Sequence, residues 1–348
     1  MTPASPALRG GLLALAAAIL FGASTPLLQL VGKDVGAFST AALLYAGAAV
    51  VGAAFVRPVE REASLRRGDL PRIVTMAAFG GAIGPVALAW GLQRTSGASA
   101  SLILALEAVF TAVLARAFYG EAMGRRVWAA MTLLAAGGVV LVLDRRLGGD
   151  TRWLGLLAVA CATAAWGLDN TLSRAVADRD PGRVVLLKSA LGAAISAALA
   201  MVAGERAIAG PAALGVFVLG ATGYGLSLRL YLLAQRAFGA ARTGSVFAFA
   251  PFVGAAIAVL LGDRETTPGM LAGGGLMLLG VLLHLAESHA HEHVHAPIEH
   301  EHAHTHDDGH HAHLHDPMPV GPHSHAHRHE ATRHAHPHVP DAHHVHRH

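Results

Sequence analysis

The sequence predicts an all-α membrane protein: ten transmembrane helices in two inverted five-helix repeats, followed by a disordered tail. Three observations carry this reading. Apolar runs close to the ~20 residues that a helix needs to cross a bilayer core recur from Gly10 to Leu285. Short motifs return with a shift of 142 to 145 residues. Of the 24 histidines, 23 fall between His289 and His348.

Composition excludes the soluble two-domain protein that 348 residues would otherwise suggest, since 53% of the chain is apolar and only 14% is charged. Residues 1–288 carry 23 Lys and Arg against 15 Asp and Glu, whereas the tail carries 3 against 8. The basic excess is scattered over short loops, which points to membrane topology and not to a nucleic-acid partner. A single cysteine, Cys161, excludes an intrachain disulfide framework and a CxxC metal site. Arg9, an apolar run and Gly22-Ala23-Ser24 would pass for a signal peptide, but the segment has a counterpart later in the chain and is read as a retained span.

The spans run in order over 10–30, 36–56, 72–92, 96–118, 125–143, 153–173, 183–203, 211–233, 243–261 and 268–286. They are too long and too uniformly apolar for barrel strands, and a helix satisfies its own backbone in hydrocarbon. Linkers are short, the longest being 57–71, so the helices form a compact bundle. With the N-terminus inside, inner segments hold 14 Lys and Arg and outer loops hold 7. The positive-inside rule therefore favours cytoplasmic N- and C-termini in a multi-pass, bacterial-type inner (plasma) membrane.

The repeat pairs Leu20-Phe21-Gly22 with Ala165-Trp166-Gly167, Gln93-Arg94 with Gln235-Arg236, Gly120-Glu121 with Gly262-Asp263, and Gly138-Val139 with Gly280-Val281. Each half holds five spans, and an odd number inverts the second half. Secondary transporters built this way bind substrate near the midplane, between the halves.

The five-span unit resembles the EamA domain of the drug/metabolite transporter superfamily. The resemblance rests on Gly97-Ala98-Ser99-Ala100-Ser101, then Leu106-Glu107-Ala108-Val109-Phe110-Thr111, then Gly120-Glu121 and Gly137-Gly138-Val139. In the second half it rests on Ala250-Pro251-Phe252 and Gly262-Asp263. It covers 10–286 and implies two EamA-like domains, 10–143 and 153–286, with residues 287–348 as a separate His-rich tail. The family usually has Pro where Ala108 stands and Glu where Asp263 stands. The first departure predicts a straighter fourth span; the second keeps the charge. The resemblance implies a transporter and not an enzyme, and leaves the substrate open among amino acids, sugars, drugs and other metabolites.

Glu107 lies mid-span, where an acidic residue costs about 2.5–3.5 kcal/mol on insertion scales and so should face a cavity or a partner. It reads either as a proton-coupling or substrate-cation site or as a hydrogen-bonded structural carboxyl. Trp166, Asp169 and Asn170 share one helix face at i, i+3 and i+4. They read as the wall of a pocket for a small polar ligand or as an interfacial anchor. Lys188 and Arg229 either pair with an acid or ligand, or snorkel to the surface. Tyr45, Tyr224 and Trp90 need partners for a hydroxyl or indole N–H. Pro26, Pro85 and Pro251 are candidate helix breaks that free carbonyls for a site, or ordinary packing residues. Gly80 and Gly84 suit close helix packing.

The tail repeats His-x-His: His289, His291, His293 and His295; His300, His302, His304 and His306; His310, His311, His313 and His315; His323, His325, His327 and His329; and further copies to the C-terminus. No apolar face accompanies them, so the segment should be disordered without ligand. Imidazoles at this density bind transition metals such as zinc, nickel or cobalt, with a pH-responsive polycation as the other reading. His291 to His295 and His300 to His304 match the His-Glu-x-x-His protease pattern by chance in so rich a tract.

Three functions follow. One is an EamA-type exporter of a small metabolite, open to proton coupling, with activity or cargo linked to a transition metal through the tail. Another is a nickel, cobalt or zinc efflux transporter. The last is a membrane-anchored metal buffer or sensor. The core requires no cofactor and offers few ligands for a dehydrated ion. The bilayer and a small-molecule or metal-ion substrate are the expected partners. Oligomeric state stays open.

Overall fold

The computed structural model describes residues 6–58, 62–120, 123–144, 152–176, 179–206, 210–238, 240–263, 267–285, 290–295, 298–304, 323–329 and 332–337. Among the described residues up to Leu285 the regular elements are helices, with one isolated bridge between Ala63 and Arg179. Eight helical stretches are long and apolar enough to cross a membrane: Leu8–Val31, Ala37–Ala54, Arg67–Leu92, Gly97–Tyr119, Arg125–Leu143, Pro181–Val202, Pro211–Gln235 and Thr243–Leu260. Pro268–His284 is a shorter apolar helix. The 22-residue helix Arg152–Ser173 is not among the eight, and it carries the charges of Arg152 and Asp169.

Several of these stretches are interrupted, and the interruptions recur in the two halves. The third is α3 (Leu70–Ala78), a π-turn (Phe79–Ile83) and α4 (Gly84–Leu92). Its counterpart is α10 (Pro211–Leu219), a π-turn (Gly220–Leu226) and α11 (Ser227–Phe238). The fourth is α5 (Gly97–Ile103), a 3-10 turn (Leu104–Leu106) and α6 (Glu107–Tyr119). Its counterpart is α12 (Ala240–Phe247), a turn at Ala248-Phe249 and α13 (Ala250–Leu260). Ala108 in place of Pro therefore does not leave the fourth span regular: a tight 3-10 turn breaks it just before Glu107. Pro85 and Pro251 lie in first turns after a break, where the missing N–H is tolerated. Pro26 lies inside the continuous helix α1 (Pro6–Val31), where it leaves the Gly22 carbonyl without its helical donor.

Packing joins the halves in matched pairs. The helix α2 (Ala37–Ala54) lies on α9 (Pro181–Val202), α7 (Arg125–Leu143) on α14 (Pro268–Leu285), and α5 on α13. Contact of α1 with α11 is matched by contact of α8 (Arg152–Ser173) with α4, and α1 on α13 is matched by α8 on α6. The Gly-acid signature has a local cause. Gly262, in the left-handed region at φ 100°, ends α13, and the next residue, Asp263, accepts from the Ala98 N–H at 3.0 Å. One half thereby caps the first turn of α5 in the other. Gly120, at φ 68°, ends α6 in the same way, and Glu121 lies outside the described residues.

The two ends of the bundle differ. Where α2 leads toward α3, the segment after Phe55 is clamped onto the start of α9. Arg179 pairs with Asp69 at 3.0 Å, and the Asp180 N–H donates to the Ala63 carbonyl at 2.9 Å. Buried Asp180 accepts from the Arg57 N–H at 3.0 Å and the Gly182 N–H at 2.9 Å. At the opposite end a cleft of about 830 Å³ opens between Pro26, Gln29, Lys33, Gln93, Ser96 and Asp263.

Four segments of the tail are described, all as strands. β1 (Ala290–His295) pairs antiparallel with β4 (Thr332–Pro337), and β2 (Ile298–His304) pairs antiparallel with β3 (His323–His329). Histidines spaced by two follow the period of a strand, so the pattern that lacks a helix face still has a strand face.

Candidate functional site

The polar residues of the bundle core meet between α6, α8 and α9. The 3-10 turn delivers Glu107 at the start of α6, and its Oε1 accepts from Asn170 Nδ2 at 2.5 Å. Asn170 stands on α8 beside Asp169, whose Oδ2 pairs with Lys188 Nζ on α9. Both side chains of that ion pair are only 5% exposed. Lys188 therefore does not snorkel, and Asp169 is no interfacial anchor. Asp169 Oδ1 is buried and accepts no hydrogen bond among the described residues.

A second group forms around one backbone carbonyl. Within the π-turn the Gly84 N–H donates to the Phe79 carbonyl, and the next residue, Pro85, has no N–H. The Gly80 carbonyl is left without a helical donor. The Tyr45 hydroxyl on α2 donates to it, and so does Trp166 Nε1 on α8, at 3.0 Å. Glycine is required here by close approach. A Cβ at Gly80 would run into the Asp169 carboxylate, and one at Gly84 would lie 2.8 Å from Trp166 Nε1.

Aromatic rings wall the same region. Phe21 on α1 meets Trp166 edge to face at 5.9 Å, Tyr224 at 5.7 Å and Phe247 at 5.5 Å. Tyr45 lies 5.8 Å from Tyr224, and Tyr231 lies 5.0 Å from Phe247. Phe21, Phe247 and Tyr231 are absent from the sequence-based candidates. For Phe21 the signal was present, because its motif is the repeat partner of the Trp166 motif.

The structure thus brings together Glu107, Trp166, Asp169, Asn170, Lys188, Tyr45 and Tyr224. Arg229 stays apart, its guanidinium over the Phe55 ring at 3.9 Å. Trp90 stacks under Arg94 at 3.6 Å. In the tail, His291, His293, His295, His300, His302, His304, His323, His325, His327 and His329 fall in strands. His289, His306, His310, His311, His313 and His315 lie outside the described residues.

Two carboxylates, an ammonium and an amide behind aromatic walls suit a small polar solute, and the carboxylates can carry a proton. A bundle of helices long and apolar enough to cross a membrane, with such a cluster inside it, has the make-up of a multi-pass membrane transporter. The EamA-like transporter family matches residues 8–143 and again residues 153–286. The chain belongs to that family, and the double match shows the same unit twice. It is 27% identical over 235 residues to an uncharacterized transporter of Methanothermobacter thermautotrophicus, covering 65% of this chain and 68% of that protein. One solved crystal structure shares the fold with a TM-score of 0.57 at 20% identity, over 79% of this chain and 94% of its own.

Proposed function

We propose that this protein is an inner-membrane secondary transporter of the EamA type that exports a small charged metabolite by alternating access. The observation that carries this reading is the buried cluster of Glu107, Asn170, Asp169 and Lys188 against the rings of Trp166, Tyr45 and Tyr224. Ten spans in two inverted repeats, with both termini cytoplasmic, fit the double family match, the paired helix breaks and the matched contacts between halves. In that orientation the clamp of Asp69, Arg179 and Asp180 is the closed inner gate, and the 830 Å³ cleft is the outer vestibule.

An organic solute fits better than a bare divalent ion. Glu107 and Asp169 already engage Asn170 and Lys188, which leaves too few free ligands to replace a hydration shell. A transition metal (zinc, nickel or cobalt) enters through the His-rich tail, as a regulator or as part of the cargo. Proton coupling falls to Glu107 and Asp169.

The test is flux in proteoliposomes of the intact protein, a form ending near Glu287, and Glu107→Gln. Amino acids and labelled nickel, cobalt and zinc are the solutes. Organic solute flux lost in Glu107→Gln and kept after tail removal supports the reading. Metal flux alone replaces it with a metal exporter, and no flux of any solute leaves a metal sensor.

A further inference from the structure

The register of the tail strands sets histidine opposite histidine. In the β2·β3 ladder His300 faces His327, His302 faces His325, and His304 faces His323, while Ile298 faces His329. In β1·β4 His291 faces His336, and His293 faces His334. Alternate residues of a strand share a face, so by register seven histidines of β2·β3 occupy same-face positions. The other face carries Glu299 opposite Arg328, Glu301 opposite Ala326 and Ala303 opposite Ser324. The rings of His323 and His325, at i and i+2 on β3, stack at 5.5 Å with planes 16° apart.

We propose that the histidine face of β2·β3 is a transition-metal site, in which Zn²⁺ or Ni²⁺ is held by facing histidine pairs and staples the two strands together. This deepens the metal-linked tail of the proposed function and rests on it. Directly opposed residues have Cβ atoms about 4.5–5.5 Å apart, within the span of two imidazoles binding one ion at about 2.0–2.1 Å. Two neighbouring pairs, such as His302 with His325 and His304 with His323, supply four imidazoles, the number that a tetrahedral zinc site takes.

Metal binding would also stabilise the ladder. An isolated two-stranded ribbon is marginal in water, and this one has no apolar face to bury. Ligand binding supplies the missing stabilisation, so metal uptake and strand pairing become one event. The tail then switches between an open chain and a zipped ladder with the metal level. A one-residue displacement of a central pair moves it to the opposite face, so composition alone does not suffice.

The test uses the full-length protein in nanodiscs, titrated with ZnCl₂ or NiCl₂. Calorimetry reads affinity, and hydrogen exchange reads residues 298–304 and 323–329. The decisive variant swaps neighbours, with His302→Ala, Ala303→His, His325→Ala and Ala326→His, which keeps the number of histidines but breaks the central facing pair, so that no two neighbouring facing pairs remain in β2·β3. The expected result is metal-induced protection of both segments in the native chain. In the swapped chain that protection is lost and the tightest site weakens at least tenfold. Metal binding without protection, or equal protection in the swapped chain, overturns the ladder site and leaves a metal-binding tail. No binding of either metal overturns both.

Discussion

Phe21 and Trp166 occupy matching motif positions in the two halves of the chain, and their rings meet edge to face at 5.9 Å. Phe21 belongs to the first matched unit and Trp166 to the second, so their contact lies between the two. The aromatic wall of the site is therefore built at the junction of the two units. Phe21→Leu keeps the bulk and removes the ring pair, which is worth about 0.5–1.5 kcal/mol. A slightly lowered Tm in detergent and a clearly reduced transport rate are the expected outcome. An unchanged rate would remove Phe21 from the pathway.

Glu107→Gln separates charge from structure. The glutamine carbonyl oxygen still accepts from Asn170 Nδ2, so size-exclusion profile and Tm should stay near those of the native protein. Transport driven by a proton gradient should fall at least tenfold, whereas counterflow of substrate across equal pH should persist. A driven rate equal to the native one would assign Glu107 a structural role.

The ion pair of Asp169 and Lys188 predicts non-additive substitutions. Lys188→Met alone strands a buried carboxylate and should destabilise by about 3–5 kcal/mol. Adding Asp169→Leu removes that stranded charge and should recover most of the stability but no transport. Thermal unfolding of the single and double variants checks this; additive losses would contradict it.

Gly80→Ala places a methyl against the Asp169 carboxylate beside the carbonyl that Tyr45 and Trp166 share. The expected cost is about 1–3 kcal/mol, as for an overpacked core. Loss of Trp166 fluorescence character should accompany it. Gly68→Ala, which meets nothing within 4 Å, serves as the control and should behave as native.

Asp69→Asn weakens the clamp to Arg179 at the closed end. Hydrogen bonds to charged groups contribute about 1.5–3 kcal/mol, so the balance between the two access states should shift by at least tenfold. Labelling of cysteines introduced beside Arg57 reads the opening, with Cys161 replaced beforehand. Equal labelling in both forms would exclude a gate there.

Local chemistry along the chain is enough to give the class of the protein. Apolar runs of bilayer length, the returning motifs and the Gly-acid signatures depend only on local chemistry and chain order, and the family match falls on the same two units. It also supplied Glu107, Trp166 and Asn170, because polar side chains inside apolar helices stand out without any structure. What it left open were the partners. Whether Lys188 reaches water or Asp169, and whether Pro26 or Pro85 accompanies a break, depends on which helix lies alongside. Tertiary packing decided that Gly80, left without a helical donor by Gly84 and Pro85, offers its carbonyl to Tyr45 and Trp166. In the tail the two-residue spacing of histidine was plain in the sequence, but a period of two becomes a face only once a second strand fixes the register.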